Sequence, residues 1–189
     1  MHPTASTTTG ASPDNRLLFR FLLVAGGMYL AWFFAYQQWL EPDGRLDASL
    51  CGQIASTSVG LLQAVGFDTA IAPANAQLLL MNGEPSVVVY PACNGLVLYA
   101  LFAGFVLAFP GPWRRKAWFI PAGIALIWGL NVLRVAALAL NHYYSHQTVD
   151  FNHHYTFNVV VYGCIFGLWM LWARRLALDN TAAADAPRS

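Results

Sequence analysis

Long apolar runs separated by short clusters of charge and proline set the pattern of this chain. Four runs, residues 17–40, 92–109, 117–140 and 155–173, are apolar enough to cross a bilayer, which takes about 20 residues in a helix and about 17 at the short end. Arg20 interrupts the first, close enough to its end to snorkel. Pro110-Gly111-Pro112 stops the second, because proline cannot continue a helix and glycine releases the backbone. Between the first two runs the pattern changes. Leu50, Ile54, Leu61, Leu62 and Val65 recur at helical spacing among Gly, Ser and Gln, which predicts an amphipathic helix lying on the membrane. Leu78–Met81 and Val87–Tyr90 then flank Asn82-Gly83, a strong turn signal for a β-hairpin, and the hairpin leads straight into Pro91-Ala92-Cys93.

The prediction is an all-α polytopic membrane protein of about four transmembrane helices, with an extracytoplasmic amphipathic helix and a β-hairpin between the first and second spans. Residues 1–15, rich in Ser, Thr, Ala and Pro, read as a disordered tail. The apolar run after Arg16 is longer than the core of a cleavable signal peptide. Residues 16–175 read as a single membrane domain, and 176–189 as a C-terminal cytoplasmic tail.

Composition agrees with this reading. The chain is 57% hydrophobic and 10% charged, against about a quarter charged in soluble domains. A net charge of +1 indicates no acidic tail and no surface for nucleic acid, so lipid is the expected solvent and the basic residues act through their positions. Arg16 and Arg20 flank the first span, Arg114-Arg115-Lys116 join the second to the third, and Arg174-Arg175 follow the fourth. All three clusters fall on one side, which the positive-inside rule makes the cytoplasm, with both termini inside. The opposite side receives residues 41–91 and 141–154, which carry Glu41, Asp43, Asp47, Asp68, Glu84 and Asp150 against the single Arg45.

Arg134 stands out against this background, because a cation in hydrocarbon costs roughly 2.5 to 3.5 kcal/mol on insertion scales. Counted from Ala117 at 1.5 Å per residue, it stands roughly 26 Å up a core roughly 30 Å thick, near the outer interface. Cys93 opens the second span on that side, where a helix N-terminus favours thiolate over thiol. His153 precedes the fourth span on the same side. A thiol, a guanidinium and an imidazole at one level are what a cysteine nucleophile, its base and an oxyanion-stabilising cation require. Taken singly, Cys93 reads as a small packing residue, His153 and His154 as interfacial polar groups, and Arg134 as a cation reaching outer phosphates. Their shared depth is what joins them.

Other candidates lead elsewhere. His142 and His146 lie one helical turn apart, a spacing that can hold a metal, but no carboxylate or cysteine joins them at close spacing. Haem between spans would want histidines deep in the helices. No metal or cofactor is expected. Cys164 reads as packing, Trp32, Trp39, Trp118 and Trp172 as interface belts. Three cysteines are too few for a disulfide framework, although Cys51 on the outer side could pair with Cys93 in an oxidising compartment and make that thiol structural.

Pro91-Ala92-Cys93-Asn94-Gly95-Leu96, then Asn131-Val132-Leu133-Arg134-Val135-Ala136-Ala137-Leu138, then Phe151-Asn152-His153-His154 before a last span, together resemble the exosortase/archaeosortase family. The likeness covers roughly residues 87–173. It implies a polytopic membrane cysteine peptidase or transpeptidase at the outer face of the cytoplasmic membrane. Its partners would be substrate proteins with a C-terminal sorting signal of short motif, hydrophobic span and basic end. By this resemblance Cys93 is the nucleophile, Arg134 stabilises the developing oxyanion or orients the substrate, and His153 is the general base. Asn94 and Asn131, inside the matching motifs, are secondary candidates. The chain departs from the family in having Asn94 where Ser is common. It also has His154-Tyr155-Thr156-Phe157 where Asp and small residues often follow the His, so His154 remains an alternative base. Without the extra N-terminal spans of larger members, it resembles a short core form. The alternative class is a non-catalytic membrane assembly or scaffold protein, with Arg134 as a helix-packing or headgroup residue.

Overall fold

The computed structural model describes residues 13–109, 111–144 and 157–176. Helix α1, Pro13–Ala35, runs on through a π-helical stretch, Tyr36–Leu40, and a last short turn, Glu41–Asp43. Gly44 then takes the left-handed conformation, φ 63°, and the chain turns into α2, Arg45–Ala64. Three antiparallel strands follow in the order β1 (Thr69–Ala72), β2 (Asn75–Met81) and β3 (Glu84–Val88). A 3-10 turn, Pro91–Cys93, leads to α3, Leu96–Ala108, then α4, Trp113–Tyr144, and α5, Phe157–Leu171, which ends in a π-helical stretch, Trp172–Leu176.

Several of these elements follow from the sequence pattern. The β2–β3 turn has φ of 51° at Asn82 and 82° at Gly83, the two positive values that a type I′ turn needs and that Asn-Gly supplies at little cost. The expected hairpin is nevertheless a three-stranded sheet, because Thr69–Ala72 pairs with β2, Thr69 opposite Met81 and Ile71 opposite Leu79. Four residues without alternation carry no strand signal of their own, and their pairing comes from the partner already in place.

The expected amphipathic helix exists as α2, but its buried stripe is Asp47, Cys51, Ile54, Ala55, Ser58, Val59 and Leu62. That stripe packs on α4 and the sheet instead of resting on a membrane, while Leu61 and Val65 are exposed. Ser58 Oγ donates across the contact to the Val132 carbonyl at 3.1 Å, as well as to its own helix at Ile54, 2.8 Å.

Helix α4 organises the molecule. Its 32 residues span about 48 Å at 1.5 Å per residue, well beyond a hydrocarbon core of about 30 Å. Two apolar cores share its length. Along the first half, Phe119 and Ile127 pack with Tyr99, Phe102 and Val106 of α3 and with Val161 and Ile165 of α5. Along the second half, Val132, Val135, Ala136 and Ala139 pack with α2 and with Leu79, Met81 and Val89 of the sheet region. The sheet and α2 thus form a cap on the end of α4 that outruns the helix bundle.

Helices α3 and α4 approach closely at Gly123, where a Cβ would lie 2.2 Å from the Phe102 ring. Lys116 of the basic cluster is buried, and its ammonium donates to the Leu107 carbonyl at 2.8 Å, closing the C-terminal end of α3. Trp172, expected in an interface belt, is instead fully buried, its ring 5.1 Å from that of Phe119. Trp39 and Trp118 are exposed.

Among the described residues, Phe19–Asp43 and Trp113–Tyr144 are long and apolar enough to cross a membrane. The other two apolar helices, α3 with 13 residues and α5 with 15, fall short of that length. Leu23, Phe34, Val159 and Phe166 are among the large apolar side chains left exposed on α1 and α5, a surface that suits hydrocarbon better than water.

Candidate active site

The site lies where the two cores meet. Cys93 ends the 3-10 turn, its N–H donating to the Tyr90 carbonyl at 2.8 Å, and its half-buried side chain packs against the cap core. The span expected from Ala92, with Cys93 at its outer start, is helical only from Leu96. Gly95 intervenes in the left-handed conformation, so Cys93 stands outside the first turn of α3, where the pull of a helix N-terminus fades.

Gly95 has two reasons to be glycine. Its φ of 80° disfavours a side chain, and a Cβ there would lie 2.6 Å from Asn131 Nδ2 and 3.0 Å from the Tyr99 hydroxyl. Gly95→Ala should therefore destabilise the fold by about 2 kcal/mol or more, from the left-handed strain and the clash together. Thermal unfolding in detergent measures this; an unchanged midpoint would contradict the packing described.

Asn94 is almost fully buried and held at three points. Its Oδ1 accepts the Leu96 N–H at 2.8 Å, its backbone carbonyl accepts the Tyr99 hydroxyl at 3.0 Å, and its Nδ2 donates to Asp47 Oδ1. The other Asp47 oxygen accepts the Tyr36 hydroxyl at 2.9 Å. Asp47 is 4% exposed, and both of its oxygens are thus satisfied, as a buried carboxylate requires. The network joins the end of α1, the start of α2, the turn after Cys93 and α3. Sequence reasoning missed Asp47, Tyr36 and Tyr99. Asp47 was legible only as one of several acidic residues on the outer side, and nothing in its local sequence marks it as buried.

Arg134 is half-buried on α4, one turn from the buried Asn131, whose Nδ2 donates to the Ile127 carbonyl at 2.9 Å. A cavity of about 160 Å³ is lined by Ala92, Asn94, Gly95, Asn131, Arg134 and, from α5, Tyr162 among others. Residues on both sides of Cys93 thus share one cavity with Arg134. A larger apolar groove of about 780 Å³ runs between α1 and α3, lined by residues such as Met28, Trp32 and Ala103, with no charged side chain. The smaller cavity is the one with groups able to do chemistry.

All three cysteines are free thiols. Cys51 is fully buried, and burial, followed by the nearby Asp47 charge, pushes its thiol above the usual range. That environment keeps Cys51 an inert thiol beside the site. His153 and His154 lie outside the described residues, as does His146, while His142 sits in the last turn of α4. Among the described residues no three His, Cys, Asp or Glu side chains are grouped so that they could hold a metal ion.

A transmembrane exosortase family model matches residues 9–173, most of the chain. The chain belongs to the transmembrane exosortase family. No curated protein and no solved structure matches it. The family match supports a membrane location, and the family is known for cysteine-type transpeptidases and proteases of the membrane. It runs through both apolar cores and through the Cys93 turn that lies at their junction.

Proposed function

We propose that this chain is a membrane cysteine peptidase or transpeptidase, acting on proteins that end in a short motif, a hydrophobic span and a basic tail. It crosses the cytoplasmic membrane four times, with both termini inside and Cys93 at the outer interface. The Cys93 thiolate attacks the scissile carbonyl, forming an S–C bond. Arg134 stabilises the oxyanion that develops. His153 takes the thiol proton and returns it to the amine as the C–N bond breaks. Water or an acceptor nucleophile then resolves the thioester and frees the thiol.

The observation that supports this reading most is the single cavity shared by Arg134 and the residues on either side of Cys93. Helix α5, which follows His153 closely in the chain, lines the same cavity through Val161 and Tyr162. A substrate tethered by its own hydrophobic span would bring its scissile bond to this level, so encounter becomes a two-dimensional search.

Membrane-impermeant thiol reagents added to the outside of intact cells should label Cys93 and block processing. Labelling should be slower than at a fully exposed cysteine, since the side chain is half-buried. Labelling that required opening the cytoplasmic face would invert the topology and remove the outer-face reading.

A further inference from the structure

A carboxylate in the first turn of α2 is usually a solvated helix start, its charge matched to the helix dipole. Asp47 is different. It is 4% exposed, and its two oxygens are divided between two elements, Oδ2 to the Tyr36 hydroxyl at the end of α1 and Oδ1 to the side-chain amide of Asn94. Asn94 cannot turn away from it, because its own Oδ1 is held by the Leu96 N–H, which leaves Nδ2 facing the carboxylate. The backbone of Asn94 is fixed as well, through its carbonyl to Tyr99 and its N–H to the Pro91 carbonyl at 3.3 Å. Every one of these bonds constrains the residue that follows Cys93 directly.

We propose that Asp47 is a positioning residue for Cys93, which holds the turn carrying the thiol at a fixed height and orientation against the Arg134 cavity by anchoring Asn94 to α1 and α2. The proposal rests on Cys93 being the nucleophile. Its physical content is that a carboxylate is the one side chain of this size that accepts at both oxygens, as Tyr36 and Asn94 together demand. An amide at position 47 keeps the shape but only one acceptor: aimed at Tyr36 it turns its NH₂ toward the NH₂ of Asn94, and aimed at Asn94 it meets the Tyr36 hydroxyl with a donor and reverses that bond, so in either orientation the two charge-assisted bonds to the carboxylate are lost. A carboxylate at position 94 in the native background puts two carboxylates in contact. Exchanging the two, Asp47→Asn with Asn94→Asp, restores a complementary pair. The new amide donates to the new carboxylate, Tyr36 keeps an acceptor, and the Leu96 N–H keeps one too.

The test uses the full-length protein in the membrane. Asp47→Asn should lower kcat for processing about 100-fold at nearly unchanged KM, the scale set by a misplacement of roughly 1 Å at a reacting group. The exchanged double variant should recover most of that loss. A role in stability alone would lower the amount of folded protein and leave kcat per folded molecule as it was, which would overturn the proposal. Failure of the double variant to recover would do the same.

Alkylation of Cys93 by N-ethylmaleimide gives a readout that needs no substrate. It should accelerate about tenfold in Asp47→Asn, on the same scale of lost positioning, while the fully buried Cys51 stays protected and reports that the fold is intact. An unchanged Cys93 rate would overturn the anchoring. If Cys93→Ala instead proved fully active, the peptidase reading would fall, and the alkylation rates would still decide whether Asp47 anchors the turn.

Discussion

Cys93→Ala should abolish processing, with a fall on the order of 10⁴-fold or more, as is typical when a covalent nucleophile is removed. The expected cause is chemical and not structural. Cys93 occupies a turn outside the helices, its side chain is half-buried at the edge of the cap core, and an alanine keeps the backbone bonds to Tyr90 and the packing of the β-carbon. Cys51→Ala and Cys164→Ala should keep nearly full activity. Cys51 lies inside the cap core with its thiol pushed up by burial and by Asp47, and Cys164 sits within α5. A reporter protein with a hydrophobic C-terminal span and basic end, scored by its cleaved form on a gel, measures all three variants. Equal loss in all three would contradict a dedicated nucleophile, and full activity in Cys93→Ala would remove the thiol from the mechanism.

The features that could be read in the sequence are those written locally. Apolar runs and the Pro-Gly-Pro break place the helices, and Asn82-Gly83 dictates its own turn. What could not be read depends on contacts between distant segments. Helix α2 shows an amphipathic stripe, but a stripe does not say whether lipid or protein covers it, and here α4 and the sheet do. β1 acquires its pairing only from β2. Trp172 has the sequence position of a belt residue and the packing of a core one.

The candidate site divides the same way. Arg134 stands out in the sequence because a cation within an apolar run is exceptional in hydrocarbon, and Cys93 joins it through the depth that the two share and the motif around the thiol. Arg134 lines the small cavity together with Ala92 and Asn94, the neighbours of Cys93, while the Cys93 side chain packs against the cap core. The start of α3 falls four residues after the expected Ala92, because Gly95, in a left-handed conformation between Asn131 and Tyr99, separates the Cys93 turn from the helix. Asp47 was illegible. Its partners are Tyr36 and Asn94, and no short-range pattern links a carboxylate to an amide 47 residues later in the chain.

Arg134→Lys should fail nearly as badly as Arg134→Ala, each lowering kcat by about 10²- to 10³-fold, the usual cost of losing an oxyanion donor. Arg134 reaches its place from α4, one turn above Asn131, and shares the 160 Å³ cavity with Ala92 and Asn94. In so small a space a planar fork can aim two N–H groups at one developing oxygen, whereas an ammonium on a flexible stem supplies a point charge that a few tenths of an ångström misdirect. The charge is the same in both residues, so the lysine variant separates geometry from electrostatics. KM should move less than kcat, because the interaction strengthens only as the oxyanion forms. Arg134 belongs to neither apolar core, so the melting temperature should change little in both variants. Steady-state rates on the same reporter, with unfolding followed in detergent, check this. Full activity in the lysine variant would reduce Arg134 to a generic cation, and a change in KM alone would make it a substrate anchor and not a stabiliser of the transition state.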